Sequence, residues 1–173
     1  MIPMKKRLTL AATALVIGLG LSAQAATSNG NDFALYYHEA NTPDKKSAVL
    51  KDAEGRPLTG AKSWRVKMPG NLPVGAFWSL TMYEQAPDGR LFFMPNDLNR
   101  FAVGDRSQHL RPERDGSIEL FVQHGKPSGE RVVNWLPAPK GKFVLMFRAY
   151  LPGAPLLDGS LRLPPVTEGE MIP

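Results

Sequence analysis

Cysteine is absent from all 173 residues, and that one absence removes several functions. The chain can build no thiol nucleophile, thiolate metal site, lipid-modified cysteine or disulfide staple. It also lacks an apolar run of the roughly 20 residues that a spanning helix needs. Four enzyme or cofactor signatures are missing: the Gly-x-Ser-x-Gly elbow, the Walker loop, Gly-x-Gly-x-x-Gly after a strand, and the calcium loop. No capped amphipathic stretch is long enough for a substantial helix.

What is present begins with a leader pattern. Lys5, Lys6 and Arg7 precede an apolar run from Leu8 to Leu21, broken only by Thr9, Thr13, Gly18 and Gly20. Ala23-Gln24-Ala25 then offers the small residues that a signal peptidase requires. The pattern predicts a signal peptide over residues 1–25, cleaved after Ala25. The expected destination is the bacterial periplasm, or alternatively the medium, with no stable membrane anchor left after cleavage. Those 25 residues hold three of the 21 basic residues and none of the 16 acidic ones. The remainder carries 18 basic against 16 acidic residues, a net charge of +2. So small a charge gives no reason to expect nucleic acid as a partner.

Beyond Ala25 the chain is punctuated by 14 glycines and 15 prolines. Short runs with strand character lie between them: Phe33–Tyr37, Trp64–Met68, Ala76–Tyr83, Leu91–Met94, Arg100–Val103, Ser117–Gln123 and Phe143–Tyr150, with a weaker one at Leu161–Leu163. Trp64, Val66 and Met68 alternate with Arg65 and Lys67, as a half-buried strand requires. Ala76–Tyr83 and Phe143–Tyr150 are apolar on both faces and read as central strands. Turn signals separate the runs at Pro87-Asp88-Gly89, Asp115-Gly116, Lys140-Gly141 and Asp158-Gly159. The pattern predicts an all-β fold with little helix, an antiparallel β-sandwich of jelly-roll type. A single domain is expected over residues 32–166, with a flexible leader at 26–31 and a flexible tail at 167–173.

Several blocks give the chain a family likeness. They are Ala76-Phe77-Trp78-Ser79-Leu80-Thr81-Met82-Tyr83, Pro95-Asn96-Asp97-Leu98-Asn99-Arg100-Phe101, Val103-Gly104-Asp105-Arg106, Asp115-Gly116-Ser117 and Gln123-His124. Asn134-Trp135-Leu136-Pro137-Ala138-Pro139-Lys140-Gly141, Phe147-Arg148-Ala149-Tyr150-Leu151-Pro152 and Leu157-Asp158-Gly159 complete the series. In this order they resemble the domain of unknown function 1214, over roughly residues 32–166. The resemblance implies a β-sandwich of jelly-roll type and brings no established activity. Members of that family usually carry a companion domain ahead of this one, and the present sequence is expected to lack it. Gly125 and Leu151 depart from the family pattern, where an acidic and an aromatic residue are common.

Seven residues stand out as candidates for binding. Asn99, Arg100, Asp105 and Arg106 form the densest polar cluster within the matched blocks. A guanidinium there suits an anion, since its fork matches carboxylate or phosphate. From Asp97 to Asp115, however, four arginines face four acids, a balance that favours internal pairing. Arg148 lies inside an apolar run, where a charge must be paired, with Asp105 or Asp158 for instance, or must reach a cavity. His124 is suited to acid–base chemistry or to a backbone hydrogen bond. Trp135, ahead of Pro137 and Pro139 on an extended, polyproline-like path, reads either as a stacking platform or partner anchor, or as a plug of the core. His38, His109 and His124 have no metal-ligand spacing, so no metal and no cofactor are implied.

Two functions remain open to the sequence. One is a non-catalytic module of the cell envelope that binds a protein partner or a small molecule. The other is an envelope-associated hydrolase or lyase built around Asp105, Arg106 and His124.

Overall fold

The computed structural model describes residues 34–37, 45–49 and 51–171. The leader pattern of residues 1–25 and the segment 26–31 lie outside them. Ten strands fall among the described residues, in two sheets. The larger sheet is built on β4 (Val74–Gln85) and β9 (Phe143–Pro152), the two long strands. They pair antiparallel from Phe77 opposite Tyr150 to Glu84 opposite Phe143. On the far side of β9 come β2 (Lys45–Val49) and then β1 (Ala34–Tyr37). On the far side of β4 lie β5 (Leu91–Phe92) and β6 (Ala102–Gly104).

The smaller sheet runs β10 (Thr167–Gly169), β3 (Ser63–Met68), β7 (Ile118–Gln123), β8 (Trp135–Pro137). Its pairs are antiparallel except for β7 with β8, which run parallel. A crossover is needed to bring a parallel neighbour alongside. Residues 124–134 supply it, ending in the 3-10 helix Gly129–Asn134.

The two sheets pack face to face because their inner positions are apolar. Trp64, Val66, Met68, Leu120 and Val122 of the smaller sheet meet Trp78, Leu80, Met82, Phe143, Leu145 and Phe147 of the larger. Each fully buried aliphatic or aromatic side chain contributes about 1.5–3 kcal/mol. Side chains alternate along a strand, so the residues between these face outward. On β4 they are Phe77, Ser79, Thr81 and Tyr83, and on β9 Val144, Met146, Arg148 and Tyr150; of these, Thr81 and Val144 are buried. This outer face is set by the same alternation that makes the core.

The mostly β, mostly antiparallel, two-sheet architecture, with only the 3-10 helix and the short helix Ala154–Leu157 besides, agrees with the expectation from sequence. The differences are local. Leu161–Leu163 forms no strand; Leu161 and Leu163 instead pack against the core as single half-buried side chains. Trp135–Pro137, expected on an extended, polyproline-like path, is hydrogen-bonded to β7 as β8. The chain beyond Val166, expected as a flexible tail, adds β10 to the edge of β3. There Glu168 meets Arg56 at 2.9 Å and Lys62 at 2.7 Å, and the Glu170 carbonyl accepts from Arg65 Nη2 at 2.8 Å. Strand pairing at an edge needs backbone more than side chains, so composition alone gives little sign of it.

Candidate functional site

The candidate residues of the loop between β5 and β6 are spent on architecture. Asn96 clasps Arg100 at both ends: its Oδ1 accepts from the Arg100 N–H at 3.0 Å, and its Nδ2 donates to the Arg100 carbonyl at 3.0 Å. Asn99 completes that turn with φ of 50°, a left-handed conformation that asparagine tolerates better than most residues. The Arg100 guanidinium then reaches across to the end of the 3-10 helix. Its Nη1 donates to the carbonyls of Val132, Val133 and Trp135, at 3.1, 3.2 and 2.6 Å. One Nη1 carries two N–H groups, so the three acceptors share them. The last carbonyls of a helix lack partners within it and carry partial negative charge. Arg100 serves them, which is the opposite of an anion clamp. Burial lowers its pKa, and nearby His109 is lowered too, by burial and then by the charge of Arg100.

Trp135 is a plug. It is 7% exposed, and its Nε1 donates to the Gln123 carbonyl at 2.9 Å. Asn134 beside it is buried and fully engaged, with its Nδ2 on the Arg111 and Glu119 carbonyls and its Oδ1 accepting from the Arg111 N–H. His124 lies just past β7, exposed, with Nδ1 2.9 Å from the Ala138 carbonyl. Asp105, just past β6, accepts from the Trp78 N–H at 3.1 Å. These two belong to strand ends of different sheets and each has its own backbone partner.

Two of the seven residues share one surface. Arg106 and Arg148 both stand on the outer face of the larger sheet. The Arg106 guanidinium lies over the Phe77 ring, 4.1 Å from its centroid, and the other side of Phe77 stacks on Tyr150 at 4.1 Å. Farther along, Arg148 donates from Nη1 to Thr81 Oγ1 at 3.1 Å and from Nη2 to the Tyr83 hydroxyl at 3.0 Å. Tyr83 in turn stacks on Phe93 at 5.0 Å, and Phe93 leans on Phe101 at 5.3 Å. The surface is thus two aromatic clusters with an arginine at each. The ion pair expected for Arg148, with Asp105 or Asp158, is replaced by the two hydroxyls. Among the described residues, no carboxylate pairs with either guanidinium.

A guanidinium has five N–H donors. Arg148 uses two of them on the described residues. Arg106 lays its flat face on Phe77 and makes no hydrogen bond among the described residues. Both leave most of their hydrogen-bonding capacity unused by the described residues, and an oxyanion is the group that capacity suits. The described residues contain no group of three or more His, Cys, Asp and Glu residues able to hold a metal ion.

A family model described as a protein of unknown function (DUF1214) matches residues 46–154. The chain belongs to the DUF1214 family. The matched range contains β4, β6, β7 and β9, hence the core and the outer face together. Among curated proteins none matches the chain. A crystal structure of a protein from Vibrio parahaemolyticus is similar in fold, with a TM-score of 0.64 and 23% identity over 73% of this chain. That of an uncharacterised protein from Burkholderia cenocepacia gives a TM-score of 0.42 and 16% identity, also over 73% of this chain. The present chain spans 31% and 29% of the lengths of those two structures. No helix among the described residues is long and apolar enough to cross a membrane.

Sequence reasoning missed most of this face. Phe77, Thr81, Tyr83, Phe93, Phe101 and Tyr150 all read there as strand and core residues. The available signal was the register: Arg148 is flanked by core positions, so it and its alternate neighbours must point the other way.

Proposed function

We propose that this DUF1214 protein is an exported, non-catalytic binding module of the cell envelope, with a jelly-roll course of the chain. Its binding surface is the outer face of the larger sheet, and its ligand carries an anionic group held by Arg148. One observation carries the reading: a half-buried arginine, on an interior strand, whose described partners are two neutral hydroxyls. A structural arginine in such a place is normally matched by a carboxylate, because desolvating the charge is costly. Hydroxyls orient the group without neutralising it, which leaves its charge for something else.

Thermal unfolding of the purified protein tests this, with benzoate, citrate and inorganic phosphate as anionic probes and benzyl alcohol as a neutral one. A probe present at 100 times its dissociation constant adds about 2.7 kcal/mol, a shift of a few degrees for a domain of this size. The expected result is a shift with at least one anion, absent in Arg148→Gln and kept in His124→Ala. A shift that survives Arg148→Gln, or a flat response to every anion, overturns the reading.

A further inference from the structure

The outer face is long, and its two arginines are far apart. Phe77, beneath Arg106, and Thr81, beneath Arg148, are four residues apart on β4, about 13 Å along the strand. Tyr83 extends the surface by two residues more, and Phe93 beside it is 54% exposed. A single small anion cannot bridge guanidiniums so placed. We propose that this face takes a linear acidic oligosaccharide, with one carboxylate on Arg148, a second on Arg106, and sugar rings along the strand against Tyr150 and Phe93. The inference rests on the reading that Arg148 holds an anion, and adds the kind of molecule that bears it.

Three features favour a sugar chain over an extended peptide. First, β4 and β9 are interior strands, with β2 beyond β9 and β5 and β6 beyond β4. Their backbone groups are committed to the ladders, so a peptide has no edge to extend. The face recognises its ligand through side chains alone. Second, Thr81 is buried beneath Arg148, and the hydroxyls left to the face are those of Ser79, between the arginines, and Tyr83, beyond Arg148, which both donate and accept. Sugar hydroxyls complement them without regard to direction. Third, apolar and aromatic surface alternates with donors along the strand: Tyr150 and Phe77, then Arg148, then Tyr83, Phe93 and Phe101. A uronic-acid chain repeats the same alternation, an apolar ring face beside a carboxylate.

Arg106 has the more specialised part. It is exposed, stacked on Phe77 at one end of the surface, and makes no hydrogen bond among the described residues. It therefore adds affinity only for a ligand long enough to reach it from Arg148.

Isothermal titration of the full chain with galacturonic acid, tetragalacturonic acid and the neutral maltotetraose tests the proposal. The expected order is tetragalacturonic acid at least tenfold tighter than galacturonic acid, with maltotetraose at least tenfold weaker than the acidic tetramer. Arg106→Gln should remove most of the gain with length and leave the acidic monomer unchanged. Arg148→Gln should weaken both acids, and Arg148→Lys should restore part of the loss if the charge is what matters. Equal unfolding midpoints for variants and parent exclude misfolding as the cause. If the acidic monomer binds through Arg148 and the tetramer binds no tighter, the oligosaccharide inference falls and the anion-binding reading stands. Maltotetraose or a tetraglutamate peptide binding as tightly as the acidic tetramer also overturns the inference. Failure of every acid, simple anions included, removes both.

Discussion

Arg100 Nη1 donates to the Trp135 carbonyl at 2.6 Å, joining a loop beside the larger sheet to the first residue of β8 in the smaller one. The same nitrogen serves the Val132 and Val133 carbonyls, so one side chain closes an end of the domain. Leaving such carbonyls without a donor costs about 1–3 kcal/mol. Arg100→Met is therefore expected to lower stability by that amount in urea unfolding, with anion binding at Arg148 unchanged. Loss of binding without loss of stability would mean that Arg100 contacts ligand after all.

How much of this was legible beforehand depends on what each feature is made of. Strands β3, β4, β7 and β9 follow from side-chain alternation and from apolar runs, and their positions in the structure match. Strands β8 and β10 follow from backbone pairing at sheet edges, which leaves little trace in composition. At the site, the charge balance from Asp97 to Asp115 pointed to internal pairing, and Arg100 is indeed satisfied internally. Its partners are carbonyls rather than carboxylates, a distinction that counting charges cannot make. Arg106 and Arg148 meet on one face only through the register of β4 with β9 and β6, since 42 positions separate them in the chain. Their aromatic neighbours look like core in sequence because a ring on the outer face of a sheet and one on its inner face have the same composition.

Trp135 gives the sharpest contrast between a surface role and a core role. Its ring is buried, and its Nε1 is bonded to the Gln123 carbonyl. Replacing a buried tryptophan by alanine costs about 3–5 kcal/mol. Trp135→Ala should fold weakly or not at all, whereas Trp135→Phe should fold with a smaller deficit, since it keeps most of the volume and loses one hydrogen bond. Denaturant titration of both variants checks this. A Trp135→Ala protein of normal stability would return the residue to the surface.

The carboxy-terminal strand should matter to stability despite its length. β10 adds three residue pairs to β3, and Glu168 sits between Arg56 and Lys62. Truncation after Val166 removes the ladder and the ion pairs, with an expected loss of about 1–3 kcal/mol. Glu168→Gln alone should cost less than about 1 kcal/mol, because exposed ion pairs are weak. Equal stability of the truncated and full chains would show that β10 only rests on the sheet.

Two carboxylates make the fold sensitive to acid. Burial works to raise the pKa of Asp52, but the Arg56 N–H, the Arg56 side chain and its charge, and the Glu54 N–H together bring it below the ordinary value. Asp115 is held at about 2, by the Ser117 hydroxyl first, then the Ser117 N–H, and after them Lys67. A carboxylate whose pKa is depressed by folding stabilises the fold above its unfolded pKa of about 3.9, and that contribution is lost as the pH falls through the folded value. For Asp115 the window therefore runs from about pH 4 down to about pH 2. Asp115→Asn should flatten the fall in stability across that window, by a small amount because its side chain is 60% exposed. Asp52→Asn should have the larger effect, since the Asp52 side chain is fully buried against Arg56 at 2.6 Å: stability at pH 7 drops, and the difference from the parent shrinks on acidification. Urea midpoints at neutral pH and across the acid window measure both. A gap between Asp52→Asn and the parent that stays constant down to the bottom of the window would place the acid sensitivity elsewhere.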